Sequence, residues 1–89
     1  MRTMYLIRAV DKDTGKSLYY YNIGCEYDNF TENIYVASLF AEEYKNDRIK
    51  EAKSCAKCKG LNNFELFVEE VTIEIKLTGK SEIIDMEDK

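Results

Sequence analysis

The 89-residue chain contains no histidine, no tryptophan and no proline. Without imidazole there is no Ser-His-Asp or Cys-His nucleophile, no imidazole metal ligand and no ordinary proton shuttle near neutral pH. Cysteine is sparse, and three is an odd number that fits a reducing compartment better than a disulfide framework. With four glycines and no proline there is no Pro/Gly-rich linker, and neither repeats nor low-complexity tracts occur. No apolar run approaches the roughly 18–20 residues that a membrane span needs. The apolar stretch of residues 1–10, which carries Arg2 and Arg8, is too short for a signal h-region and lacks a small-residue cleavage site. These absences predict a cytoplasmic protein with no membrane contact. They also empty the sequon Asn29-Phe30-Thr31 of meaning.

Apolar residues make up 45% of the chain and charged residues 34%, as in a soluble globular protein. A chain this short buries only about 60–65% of its unfolded surface, so the core is thin and has no volume for an elaborate active site. One domain is expected over residues 1–85, with a frayed polar tail at 86–89. The net charge of −4 conceals a polarity along the chain. Residues 1–44 hold 4 basic and 7 acidic side chains, residues 45–60 hold 6 and 2, and residues 61–89 hold 3 and 8. Segments of −3, +4 and −5 can fold into one acidic surface and one basic stripe.

Residues 3–10 and 17–24 alternate as two strands around Asp11-Lys12-Asp13-Thr14-Gly15-Lys16, which predicts an antiparallel hairpin. In the second strand Tyr19, Tyr21 and Ile23 share one face, and Leu18 and Tyr20 the other. Residues 25–31 read as a polar turn. Ala37, Phe40, Ala41 and Tyr44, then Ile49, Ala52, Cys55 and Ala56, recur at helical spacing, with a possible break near 45–47. Asp28 and Glu32 suit the start of that helical region, and Gly60 suits its C-cap. Phe64, Leu66 and Val68 alternate on even positions and Val71, Ile73, Ile75 and Leu77 on odd ones, so a β-bulge is predicted at Glu69-Glu70. After Thr78-Gly79-Lys80, residues 81–85 could return as a fourth, C-terminal edge strand. The expected fold is α+β, of order β-β-α-β, with an antiparallel sheet of three to four strands against one helix or a broken helix pair.

Several motifs invite chemistry and most have a plainer use. Cys55-Ala56-Lys57-Cys58 lies near a helix C-terminus, where the dipole opposes thiolate formation, and only Cys25 could add a third thiolate. Small inert helical cysteines are the reading of choice, with a metal or redox protein as an alternative. Asp11-Lys12-Asp13-Thr14-Gly15 has its glycine one position too early for a calcium loop. Glu69 and Glu70 point to opposite faces of a strand and lack a nucleophile or metal, so no catalysis and no cofactor are expected. Lys45, Arg48, Lys50, Lys53, Lys57 and Lys59 could grip phosphate, but a solvated helix face is the commoner outcome. Surplus tyrosine anchors protein interfaces, and here its neighbours are carboxylates.

Tyr5-Leu6-Ile7-Arg8, Tyr19-Tyr20-Tyr21, Ala37-x-x-Phe40, Glu51-Ala52 and Phe64-Glu65-Leu66-Phe67-Val68-Glu69 follow one another in an order that resembles a class of small phage and prophage proteins. The likeness spans residues 5–71 and is mainly a spacing of core residues. The longer helical region, the CxxC and the acidic C-terminus depart from it. The resemblance implies a β-β-α-β fold, a bacterial host cytoplasm and, among other options, an inhibitor of host defence of the anti-CRISPR type. Residue chemistry and resemblance together predict a non-enzymatic module that blocks a host protein, for instance a CRISPR effector or another nucleic-acid-handling complex. Glu65, Glu69, Glu70, Glu74 and Glu82 would occupy a basic groove, with Tyr20 as the desolvated anchor. No direct nucleic-acid contact is expected, and an exposed edge strand makes a homodimer a further option. The alternatives are a nucleic-acid-binding module using the basic helix and exposed tyrosines, or the cysteine metal or redox protein.

Overall fold

A computed structural model describes residues 2–23 and 27–85. Strands β1 (Arg2–Asp11) and β2 (Ser17–Ile23) form the expected antiparallel hairpin, with Arg8 opposite Tyr19 and Val10 opposite Ser17. Its turn is held by Asp11, whose carboxylate accepts the Asp13 and Thr14 amides at 2.8 and 3.2 Å. Gly15 closes it at φ 77°, a conformation that side chains disfavour. The Asn63 amide donates to the Asp11 and Asp13 carboxylates at 3.2 and 2.8 Å, so these acids tie the turn to the start of the last strand.

Strand β3 (Tyr27–Thr31) pairs antiparallel with β2, helix α1 follows at Lys45–Cys58, and β4 (Phe64–Ile73) pairs antiparallel with β1. The sheet order is β3-β2-β1-β4, an α+β fold with four antiparallel strands and one helix. The fourth strand is β3 and not the C-terminal segment: no strand exists at 74–85 among the described residues. Asp28 and Asn29 disguise β3, because both are poor strand formers. Its stability comes from a distant residue: the Tyr20 hydroxyl donates to Asp28 at 2.8 Å and the Tyr20 ring packs on Phe30 at 5.5 Å. At the other end, a return after Thr78-Gly79-Lys80 would have only Ile83 and Ile84 to pack, and as adjacent residues these point to opposite faces of a strand. The expected tail at 86–89 lies outside the described residues.

Two further expectations are corrected. Residues 37–41 are extended, not helical, and lie between short 3-10 turns at Ile34–Val36 and Glu42–Tyr44. They enter the fork where β2 leaves β1. Phe40 and Tyr5 exchange two backbone hydrogen bonds of 2.9 Å, while Ser38 N–H donates to the Tyr20 carbonyl at 3.1 Å. The core position of Phe40 was legible from sequence and its backbone was not. Helix α1 begins only after Tyr44 and runs unbroken through 45–47. It ends as expected at Gly60, φ 73°, with the Gly60 and Leu61 amides donating to the Lys57 and Ala56 carbonyls. Asp28 and Glu32 play no part at its start.

The predicted bulge at Glu69-Glu70 is absent, since β1 and β4 keep one unbroken register from Arg2 opposite Ile73 to Asp11 opposite Phe64. Opposed residues share a face. Tyr5, Ile7 and Ala9 therefore lie with Glu70, Val68 and Leu66 under the helix, and Leu6 and Arg8 lie with Glu69 and Phe67 on the other side. The change of parity marks a strand with apolar residues on both faces. Helix α1 presents the small residues Ala52, Cys55 and Ala56 to the sheet, and Ile7, Tyr20, Phe40, Ala52 and Cys55 form the buried cluster. Tyr20 and Phe40 each contribute about 1.5–3 kcal/mol by leaving water.

Candidate functional site

The face of the sheet opposite α1 has no layer over it among the described residues. Alternation assigns Tyr19, Tyr21 and Ile23 from β2 to this face, and Tyr27, Asn29 and Thr31 from β3. Strand β1 adds Arg2, Met4, Leu6, Arg8 and Val10, and β4 adds Glu65, Phe67, Glu69, Val71 and Ile73. The surface is amphipathic and rich in aromatics, with Ile23 66% exposed, Tyr27 50% and Phe67 39%. The Tyr21 and Tyr27 rings lie 6.3 Å apart and tilted. The Arg8 guanidinium sits 5.7 Å from the Phe67 ring centre and reaches the Glu69 carboxylate at 2.6 Å. These contacts hold the aromatic rings in defined orientations.

The carboxylates expected to act together are spread over different surfaces. Glu65 and Glu69 belong to the open face, and Glu69 is ion-paired with Arg8. Glu70 is on the helix side of β4, opposite Tyr5. Glu74 and Glu82 fall in the segment beyond β4, where Glu74 lies 3.6 Å from Lys76. Tyr20 is a correction: at 1% exposure it is a core residue, and its hydroxyl is spent on Asp28. Burial and the Asp28 carboxylate both push its phenol well above the ordinary range, so it stays protonated. Its neighbours Tyr19 and Tyr21 take the open face instead. Alternation allowed either set to face outward, and only the location of the helix decides between them.

Phe67, Tyr27 and Arg8 were not singled out from sequence as surface groups. For Phe67 the signal was present in its odd position between Leu66 and Val68. For Tyr27 it was hidden by the polar appearance of β3.

The basic residues of α1 lie on the far side of the sheet from Tyr19, whereas Tyr27, on the edge strand, also lines a cleft with Lys50 and Lys59 of the helix side. Two of the helix cations are engaged within the chain. Arg48 reaches Glu51 at 2.6 Å, and Lys45 lies 5.0 Å from the Tyr5 ring centre. The Tyr5 hydroxyl donates to Glu42 at 2.5 Å, and that bond raises its pKa.

Cys55 is buried, with its thiol pushed up to about 11 by burial and the nearby Asp28 carboxylate. That is the opposite of an activated nucleophile. Cys58 is exposed at the rim of an open cleft of about 540 Å³ between α1 and β3, lined also by Tyr27, Asp28, Lys50 and Lys59. Cys25 lies outside the described residues. Among those described, no three Cys, Asp or Glu side chains converge as metal ligands, and no helix is long and apolar enough to cross a membrane.

Comparison of the chain with family models, curated proteins and solved structures finds no match.

Proposed function

We propose that the protein is a non-catalytic interaction module that docks a partner protein on its open sheet face. The observation that carries this reading is the uncovered face itself, where Tyr19, Tyr21, Tyr27 and Phe67 lie among apolar neighbours. Rigid aromatics of this kind supply large contact area at low entropy cost. Charge separates the two sides of the sheet. Helix α1 holds five basic and two acidic side chains, whereas the open face balances Glu65 and Glu69 against Arg2 and Arg8. A basic surface is therefore repelled from the helix side and not from the open face.

The partner class that fits is a host protein with a basic nucleic-acid groove. Inhibition of a defence complex in a bacterial cytoplasm rests on the resemblance to small phage proteins. The test is capture from nuclease-treated bacterial lysate on the immobilised protein, with bound proteins identified by mass spectrometry. A wild-type column should enrich one basic nucleic-acid-handling complex. The double variant Tyr21→Ala/Phe67→Ala should lose it, and Lys50→Glu/Lys53→Glu should keep it. Retention by the first variant with loss by the second would overturn the reading, as would capture of nucleic acid alone.

A further inference from the structure

Beyond Ile73, where β4 ends, the described chain forms no regular secondary structure, while the neighbouring β1 ends at Arg2 opposite Ile73. Ile75 and Leu77 in this overhang are 77% and 97% exposed, and Ile83 and Ile84 after it are 99% and 80%. The Cα radius of gyration is 16.4 Å, against about 12 Å for a compact chain of this length, as expected if the arm projects from the body. The fold underneath is thin: of its eight buried hydrophobic residues three are alanines. Small folds commonly complete such a core by association.

The overhang is amphipathic in the manner of a strand. Ile73, Ile75 and Leu77 continue the parity of the open face, while Thr72, Glu74, Lys76 and Thr78 continue the parity of the helix face. It is also self-complementary. When two copies run antiparallel with Ile75 opposite Ile75, then Ile73 meets Leu77 twice, Thr72 meets Thr78 twice, and Glu74 meets Lys76 twice. A two-residue shift one way puts Glu74 against Glu74, and the other way puts Lys76 against Lys76. Only the central register matches every pair, in apolar character on one side and in charge on the other.

We infer that the protein forms a two-fold homodimer through antiparallel pairing of residues 72–78 of β4 and its overhang. The pairing uses the β4 edge that faces away from β1, so each body lies beyond an end of the shared ribbon. The intrachain contact of Glu74 with Lys76, 3.6 Å and exposed, is exchanged for two cross-strand pairs. The two-fold axis stands perpendicular to the joined sheet, so both open faces point the same way. The inference rests on the overhang and not on the identity of any docked partner.

The test is the oligomeric state of the full chain by sedimentation velocity and by light scattering after size exclusion. Wild type should be dimeric at high micromolar concentration. Glu74→Lys and Lys76→Glu each oppose like charges twice, and each should raise the dimer dissociation constant about tenfold or more. Mixing these two variants should restore a heterodimer, because lysine then faces glutamate at both contacts. Thermal unfolding of both variants should stay cooperative, since Glu74 and Lys76 are exposed and outside the core. A monomeric wild type, single variants that dimerise as well as wild type, or a mixture that stays monomeric would each overturn the inference.

Discussion

The two faces of one sheet use aromatic residues for different ends. Under the helix, Tyr20 and Phe40 are buried in contact with small residues of α1 and carry the stability of the fold. On the open face, Tyr21 lies against Tyr27 and Phe67 against Arg8, and Tyr27, on the edge strand, also borders the cleft beside α1. Neighbouring positions in one Tyr-Tyr-Tyr run thus serve the core and the surface, separated only by the alternation of a strand. Aromatic content therefore reports neither role, and the side on which the helix packs decides both.

The widest gap between the faces is expected from truncation. Phe40→Ala should cost about 3–5 kcal/mol of unfolding free energy, enough to unfold many domains of this size, by the cavity it leaves in a thin core. Phe67→Ala on the open face should cost less than about 1 kcal/mol. Urea unfolding of the two variants measures the contrast directly, and comparable losses would mean that the open face is also covered.

Removal of one hydroxyl sharpens the same comparison. Tyr20→Phe strands the Asp28 carboxylate without its donor and should cost about 1–3 kcal/mol, whereas Tyr21→Phe should be close to neutral. The cysteines extend the contrast to reactivity. Cys58 should take up iodoacetamide in the folded protein while Cys55 reacts only after unfolding, as read by peptide mass mapping.

Cys55 also sets a pH dependence of known sign. Its folded pKa lies above the ordinary 9.0, at about 11. The folded state therefore holds the proton more tightly, and this stabilisation is complete below about pH 9 and is lost as pH rises toward 11. Cys55→Ala should flatten that part of the stability profile. The smallest effect is expected at Arg8 and Glu69, a half-exposed pair whose coupling in a double-mutant cycle should stay below about 1 kcal/mol.

Much of the architecture was legible because it is local. The Asp11–Lys16 turn, the alternation of β2 and the Gly60 cap each follow from a few adjacent residues with defined dihedral or capping needs. The misread segments depend on distant partners. Strand β3 is stabilised by Tyr20, and the extended stretch around Phe40 is stabilised by β1 and β2, whose backbone groups it satisfies where they diverge. Helical spacing of Ala37, Phe40 and Tyr44 was a coincidence of period that the 37–41 backbone does not follow. The candidate site was half visible. The acidic character of β4 and the surplus of tyrosine are plain in the sequence, but their assignment to faces required the register with β1 and the side taken by α1.

The most direct measurement is hydroxyl-radical footprinting of the protein alone and bound to its captured partner, read residue by residue by mass spectrometry. Protection of Tyr21 and Phe67, with Tyr35 and Tyr44 unchanged, is the expected result. Protection of Tyr44 and the α1 lysines, with the open-face rings as reactive as before, would contradict the assignment of binding to the open face.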